Sequence, residues 1–239
     1  MRVAKISAGN LRYSERVLRD YTWSSLFGYN SVRDDEIVQF MGEGIKVAIG
    51  SVLGDGFLHR LTKRKSTSQL YVSQHDSKLA YLEWLHSKLG ESIEMNPIKP
   101  KTGYQQHWFM TKPDQKLGYL KKKFYLKRKK RIPNNIREIL NNPLSLAVWY
   151  MDDGNLDKRS KYHLNSTIAT YCFSFEECGI LSEVLKENFE IKASVNQTKM
   201  REKVYPRLYI WSESMERFIS LITPFIHPVF KYKIGQNNP

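Results

Sequence analysis

Cysteine is scarce in this chain, which has only Cys172 and Cys178 among its 239 residues. Two cysteines are too few for disulfides to stabilise a protein of this size, and their spacing is not that of a zinc site. We therefore interpret both as packing residues of a protein in an intracellular, reducing compartment. A bacterial or phage cytoplasm and an organelle fit the sequence equally.

Long apolar runs are also absent. No run approaches the roughly 18 residues that a membrane-spanning helix needs, and Met1–Asn10 lacks the apolar core of a secretory signal. The chain has no glycine-rich phosphate loop before a helix, no serine elbow and no pair of histidines at metal-ligand spacing. These absences predict a soluble protein that does not enter a membrane, and they leave its carboxylates as the main candidates for chemistry.

Acidic residues are few relative to basic ones. The chain has 24 Asp and Glu against 38 Lys and Arg, a formal net charge of +14 and a pI near 9.6. Such a positive field favours a polyanionic partner. We interpret that partner as nucleic acid, and an anionic membrane surface is the rival interpretation.

Two apolar runs of helix length each end in an acid followed by glycine. They are Ile45–Gly56 and Pro143–Gly154, and their acids are Asp55 and Asp153. A carboxylate at a helix C-terminus opposes the helix dipole at a cost of roughly 0.3–1 kcal/mol, so its occurrence in both runs suggests function. Glycine just past a helix end is commonly a left-handed residue, and we expect both terminal glycines to have this conformation.

Small residues in the two runs predict that their helices pack together. Gly50 and Gly54 lie at i and i+4 and share one helix face. With Ala147 on the second run, they would allow the helices to approach closely. Asp55 and Asp153 would then meet at one end of the interface, where a divalent cation could offset both charges.

The repeated run divides the chain into two half-domains preceded by an extension. We place the N-terminal extension at residues 1–43, the first half-domain at 44–138 and the second at 139–239. The expected fold is α+β, with two pseudo-symmetric αββαββα halves. We interpret the extension as a helical arm over the core in preference to a separate DNA-binding module or an organelle transit peptide.

Local patterns predict the individual elements. In the first half we expect a hairpin over 57–65 and 69–75, a helix over 78–89 capped by Asp76, strands around 97–103 and over 104–111, and a helix opened by Asp114. In the second half we expect a turn over 155–161, a strand over 166–173, a helix over 175–189, strands over 193–201 and 205–211, and a helix over 213–225. The sequence does not decide which side of strand 166–173 faces the core.

Basic residues are concentrated between Lys116 and Arg131, where nine of sixteen residues are Lys or Arg and none is acidic. An unbalanced block of charge repels itself unless a polyanion faces it. Alternating polar residues on strands could also contact nucleic acid, because one strand face can pack while the other is free. The expected DNA contacts are Arg60, Lys63, Arg64, Gln69, Lys121, Lys122, Lys123, Lys158, Arg159, Lys161, Gln197, Lys199, Arg201, Arg207 and Tyr209.

The segments Ala48–Gly56, AIGSVLGDG, and Leu146–Gly154, LAVWYMDDG, resemble the two motifs of a double-motif LAGLIDADG homing endonuclease. The resemblance covers about residues 44–235 and is closest to the yeast mitochondrial intron-encoded type. It implies a monomer without a required protein partner, whose antiparallel sheets form a saddle over double-stranded DNA with the motif helices at the centre. It also implies Mg²⁺-dependent hydrolysis of both strands at a long site, leaving 3′ overhangs, with Mn²⁺ able to replace Mg²⁺.

The resemblance assigns roles to six residues. They are the metal-binding acids Asp55 and Asp153, the backbone carbonyls of Gly54 and Asp152, and the catalytic lysines Lys130 and Lys233. The segments Lys129–Asn135 and Phe230–Lys233 are similar to those that bring a basic residue of each half to the active centre. Asp152 aligns with Gly54 in the repeat, so a pseudo-symmetric centre gives the Asp152 side chain no metal-binding role.

Two alternatives stay open within this fold. One is a maturase that binds its host intron RNA and assists splicing, and the other is a DNA-binding regulator that has lost catalysis. Retention of both acids argues against the regulator and does not exclude the maturase. An intein origin is disfavoured, because the chain begins with Met1 and ends without a His-Asn splice junction.

Overall fold

The computed structural model describes residues 42–59, 66–157 and 164–236. Nearly all of the extension expected over 1–43 lies outside these ranges, as do six expected DNA contacts, Arg60, Lys63, Arg64, Lys158, Arg159 and Lys161. Within the described ranges, no helix combines the length and the apolar character that crossing a bilayer requires.

The first half alternates helices with the strands of an antiparallel sheet. Its elements are α1 (Glu43–Leu53), β1 (Phe57–Leu58), β2 (Leu70–His75), α2 (Leu79–Gly90), β3 (Lys99–Pro100), β4 (Gln106–Met110) and α3 (Gln115–Phe124). A ribbon of β5 (Tyr125–Leu126) and β6 (Lys129–Lys130), then the short helix α4 (Ile136–Ile139), lead into the second half. Asp114 starts α3 as expected, because its carboxylate accepts hydrogen bonds from the amides of Lys116 and Leu117.

The second half repeats this order. Its elements are α5 (Pro143–Asp153), β7 (Gly154–Asp157), β8 (Asn165–Ala169), α6 (Phe175–Phe189), β9 (Ala193–Met200), β10 (Lys203–Ile210) and α7 (Met215–Ile222), followed by 3₁₀ turns at Thr223–Phe225 and Pro228–Ile234. Asn142 caps α5 by accepting a hydrogen bond from the amide of Leu144. Ser174 and Glu177 form a capping box at the start of α6.

The two sheets have the same strand order. The first is β1-β2-β4-β3 and the second is β7-β8-β10-β9, with antiparallel neighbours throughout. Helix α2 packs on the first sheet, and α6 packs on the second. The α+β fold of two pseudo-symmetric αββαββα halves is therefore confirmed.

Helices α1 and α5 pack against each other where the halves meet. A Cβ atom added at Gly50 would lie 2.5 Å from the carbonyl oxygen of Ser145 and 2.7 Å from Cβ of Val148, so a larger residue would push the helices apart. Ser145 Oγ donates a hydrogen bond of 2.8 Å to the carbonyl of Lys46, and Ala147 is fully buried. The buried side chains of both halves join in one hydrophobic core.

Strand pairing resolves two local expectations. The turn expected over 155–161 is wrong at its start, because Gly154–Asp157 pairs with β8 along its whole length. In β8 the side chains of Ser166 and Ile168 are buried, which places the alternate residue Thr167 on the open face of the sheet.

Three further expectations need correction. The helix expected over 213–225 is α-helical only over Met215–Ile222, because Pro224 in the next turn has no amide donor. Asp76 does not cap the helix after β2, since it is His75 Nδ1 that accepts from the Ser77 amide. Cys178 is buried as expected, but Cys172 is exposed, because it follows the end of β8.

Candidate active centre and nucleic-acid interface

Asp55 and Asp153 lie at the same end of the paired helices. Helix α1 ends at Leu53, so Asp55 lies just beyond it, whereas Asp153 is the last residue of α5. Each acid acts electrostatically on the same two lysines, Lys130 and Lys233. Each half thus contributes one aspartate to a shared centre.

The glycines that follow the acids do not have the left-handed conformation expected of them. Neither Gly56 nor Gly154 has a positive φ. Close packing accounts for both residues instead, because an added Cβ would lie 2.7 Å from the carbonyl oxygen of Ser51 at Gly56 and 2.0 Å from Cδ2 of Tyr150 at Gly154. The expectation of a left-handed helix stop was therefore wrong at both motifs.

Asp55 is exposed, and its carboxylate accepts a hydrogen bond from a buried side chain. Gln74 Nε2 donates to Asp55 Oδ2 over 3.2 Å. Gln74 is the residue before the last one of β2, has the parity of the buried residues of that strand and is only 6% exposed. The sequence analysis did not single out Gln74. Its position among the inward-facing residues of the strand could have identified it, because a glutamine is rarely buried without a role.

Asp153 is partly buried, and its carboxyl group is hard to ionise. Burial, followed by the negative charge of Asp55, raises the pKa of Asp153 to about 7. The charges of Lys130 and Lys233 act in the opposite direction. Two carboxylates that repel each other in this way form a site that a cation would stabilise.

The Asp152 side chain points into the boundary between the halves. Its Oδ1 accepts a hydrogen bond of 2.9 Å from the Tyr81 hydroxyl, and its Oδ2 accepts one of 3.3 Å from the backbone amide of Asp55. Burial and then the charge of Asp55 raise the pKa of Asp152 well above its usual range. Sequence reasoning found neither contact, and the only signal was the alignment of Asp152 with Gly54.

Lys130 and Lys233 reach the ends of the two motif helices from different elements. Lys130 is on β6 and its Nζ donates to the carbonyl of Gly54 over 2.7 Å. Lys233 is in the 3₁₀ turn Pro228–Ile234 and its Nζ donates to the carbonyl of Met151 over 2.6 Å. Burial lowers the pKa of Lys130, and it lowers the pKa of Lys233 to about 8.

The basic run 116–131 is divided between the core and the surface. Lys121 is only 8% exposed, its Nζ donates to the carbonyl of Leu58 over 2.6 Å, and it lies 3.3 Å from the ring centroid of Tyr125. A DNA contact by Lys121 was therefore a wrong expectation, because helix periodicity turns this residue inward. Lys122 is exposed, and Lys123 is partly exposed over the ring of Tyr119.

The open face of the second sheet carries Arg207 and Tyr209. Both are partly exposed, while Leu208 and Ile210 between them are buried. Arg207 Nη2 donates to the hydroxyl of Tyr171, so the guanidinium is held on this face.

The residues expected on β9 do not share that face. Opposite residues of an antiparallel pair point to the same side, and Arg207 pairs with Asn196, whereas Gln197 pairs with the buried Pro206. Lys199 has the parity of Gln197, and Arg201 lies in the turn after β9 with a φ of 55°. Gln197 and Lys199 therefore lie on the opposite face of the sheet from Arg207, and contact of these residues with nucleic acid stays a prediction.

Gln69 of the first half uses its side chain within the protein. Its Nε2 donates to the carbonyl of Thr111 over 2.8 Å. The open face of the same sheet also presents aromatic residues, and the rings of Tyr71 and Trp108 lie 5.5 Å apart there. Sequence reasoning did not single out either ring, because an aromatic residue in a strand is usually a core residue.

Two half-domains that each carry an acid-ended helix into a shared interface define the double-motif LAGLIDADG class. Residues 45–218 match the LAGLIDADG DNA endonuclease family, and the chain belongs to this family.

Named relatives include maturases and endonucleases. The cytochrome b mRNA maturase bI2 of Saccharomyces cerevisiae is 29% identical over 80% of this chain and 47% of its own length, so the chain spans about half of that relative. The protein of the same name from Debaryomyces hansenii is 28% identical over 89% of this chain and 78% of its own length. The probable intron-encoded endonuclease 1 of Wickerhamomyces canadensis is 28% identical over 78% and 81%.

A solved structure has the same fold. The homing endonuclease I-WcaI bound to its DNA recognition sequence superimposes with a TM-score of 0.66 and 23% identity, covering 90% of this chain and 99% of that one.

Proposed function

We propose that this protein is a homing endonuclease that cuts both strands of a long, specific DNA site. The observation that carries the proposal is the convergence of Asp55 and Asp153, one from each half, with Lys130 and Lys233 at the same centre. A single chain would supply both halves of the centre, so a monomer suffices. Family membership and the DNA-bound protein of the same fold support the proposal.

Asp55 and Asp153 would hold a divalent cation, either Mg²⁺ or Mn²⁺. Carboxylate oxygens are the hard ligands that Mg²⁺ takes from proteins, and a nearby cation would relieve the repulsion between Asp55 and Asp153. The backbone carbonyls of Gly54 and Asp152 are the further protein ligands that we propose. When bound, the metal would activate water and stabilise charge on the phosphate.

Lys130 and Lys233 would stabilise negative charge that develops on the phosphate during cleavage. Each is held by a backbone carbonyl at the end of a motif helix. A buried or partly buried cation interacts more strongly with a phosphate oxygen than an exposed one does. The two lysines would therefore act on the reacting groups, and the exposed basic residues would act on binding.

Binding would use the open faces of the two sheets together with the exposed part of the basic run. Arg207 and Tyr209 would contact base edges, since a guanidinium can donate two hydrogen bonds to guanine. Lys122 and Lys123 would contact phosphates, which fixes position without reading sequence. Cleavage of both strands across the minor groove would leave 3′ overhangs.

Cleavage selection tests the proposal. The protein is incubated with a randomised or genomic duplex library in Mg²⁺, and the released ends are sequenced, with Ca²⁺ as the binding control. We expect one discrete site with 3′ overhangs, and no cutting by Asp55→Asn. Absence of any discrete cut site in both Mg²⁺ and Mn²⁺ would overturn the proposal that the protein is an endonuclease.

An intron RNA maturase is the second candidate function. Two relatives that are named maturases, from Saccharomyces cerevisiae and Debaryomyces hansenii, favour it. Tight binding to a structured intron RNA, with faster splicing and no discrete DNA cut, would establish this function in place of the first.

A further inference from the structure

We propose that Asp152 is a positioning residue, which together with Tyr81 clamps the backbone of Asp55 across the boundary between the halves. The clamp consists of protein groups alone, so it can be tested without metal. Its effect on catalysis rests on the proposed endonuclease function, because it fixes where the carboxylate of the first half lies.

The clamp fills a gap in the backbone hydrogen bonding at the end of α1. The amide of Gly56 donates to the carbonyl of Ser51 over 2.6 Å, the carbonyl that the Asp55 amide would use if the helix continued. The Asp55 amide instead donates to Asp152 Oδ2. A side chain of the second half thus satisfies the donor that the first half leaves over.

Tyr81 holds the Asp152 carboxyl group in place. Its hydroxyl donates to Asp152 Oδ1 over 2.9 Å, and its side chain is fully buried. The Tyr81 ring lies 4.8 Å from that of Phe230 and 5.9 Å from that of Trp84. A rigid donor fixes the rotamer of Asp152, so both carboxyl oxygens have defined partners.

Gly54 provides the space that the Asp152 carboxyl group occupies. A Cβ atom added at Gly54 would lie 2.6 Å from Cβ of Asp152 and 2.7 Å from its Oδ2. The two aligned motif positions are therefore complementary. The second half needs no such clamp, because Asp153 is still within α5, whereas Asp55 lies beyond the end of α1.

Amide exchange and cleavage by two variants test the clamp. In metal-free Asp152→Ala, we expect the Asp55 amide to exchange roughly tenfold faster by NMR, which corresponds to the loss of one hydrogen bond. Cleavage of the cognate duplex should fall by about 10²-fold, because the carboxylate is displaced. Asp152→Asn should keep Asp55 exchange close to wild type and should lose less cleavage than Asp152→Ala, since its amide oxygen can accept from Asp55 and its Nδ2 can donate to Tyr81.

A double-mutant cycle separates the clamp from general destabilisation. Tyr81→Phe alone should weaken cleavage, but it should add little in the Asp152→Ala background, because both changes break the same clamp. Ser145→Ala is the matched control, since it removes a hydrogen bond between the same two helices away from the acids. It should leave cleavage and Asp55 exchange unchanged.

The outcomes distinguish the clamp from the function on which it rests. Unchanged Asp55 exchange in Asp152→Ala overturns the clamp, and faster exchange with undiminished cleavage overturns the positioning role. If Asp152→Ala does not fold, Asp55 exchange in Tyr81→Phe decides in its place. A wild-type protein that cuts no DNA ends the endonuclease proposal, while the exchange data still decide whether the clamp exists.

Discussion

Asp55 and Asp153 have equivalent places in the sequence repeat and different environments in the structure. Asp55 is exposed beyond its helix and receives a hydrogen bond from Gln74, whereas Asp153 ends its helix partly buried. Burial and the charge of Asp55 raise the pKa of Asp153 to about 7. Equal register therefore does not give equal chemistry, and the two acids should be tested one at a time.

Replacing either acid by its amide should abolish double-strand cleavage and preserve specific binding. Asp55→Asn and Asp153→Asn each remove a metal-binding charge with little change in volume. Cutting in Mg²⁺ and binding in Ca²⁺ are measured on one cognate duplex. Full double-strand activity in Asp153→Asn would contradict the assignment of the second acid.

The raised pKa of Asp153, about 7, predicts how stability depends on pH without metal. The unfolded carboxyl has a pKa of about 3.9, so the unfolded chain releases this proton first and stability falls as pH rises between the two values. Asp153→Asn should therefore exceed wild type in stability by on the order of 1 kcal/mol at about pH 8, and not at about pH 4. Thermal unfolding in chelator measures this difference, and an equal difference at both pH values would refute it.

At the scale of one element, α3 shows how a run of identical residues is divided by the helix that carries it. Lys121 faces the core and Lys122 faces solvent. Lys122→Ala should flatten the dependence of log K on log salt, by up to about 0.9 for one phosphate contact. Lys121→Ala should instead lower thermal stability and leave the slope unchanged. Titrations of duplex DNA at several salt concentrations compare them, and a flatter slope only in Lys121→Ala would reverse the assignment.

The second sheet offers a comparison between its two faces. Arg207→Ala should relax discrimination at one or two base pairs, because a base contact is lost while phosphate contacts stay. Lys199→Ala is the matched control, since cross-strand pairing places Lys199 on the other face. Binding selection on a randomised site measures both variants. Equal relaxation in the two would mean that the face does not decide sequence recognition.

These elements also show where sequence reasoning succeeds. The two halves, the capped start of α3 and the pairing of the motif helices follow from local patterns such as Asp114 before a helix or glycine at i and i+4. Strand parity on β9 could not be read locally, because it depends on pairing with β10. The Tyr81–Asp152 contact joins residues 71 positions apart, and no periodic pattern connects them.

At the scale of the whole molecule, the two halves match in element order and differ at their joint. Each sheet places its strands in the same order, yet Lys130 reaches the centre from a ribbon and Lys233 from a 3₁₀ turn. Lys130 bonds to Gly54, and Lys233 bonds to Met151, which aligns with Leu53 and not with Gly54. Symmetry of the fold thus coexists with an asymmetric centre.

The fit between Gly54 and Asp152 has a consequence for how such a centre can evolve. In an assembly of two identical subunits, one codon specifies both copies of a position, so that position cannot be glycine on one side of the joint and aspartate on the other. A chain that encodes both halves removes this restriction, because each copy mutates independently. Joining the halves in one gene therefore gives this centre a chemical option that no homodimer has.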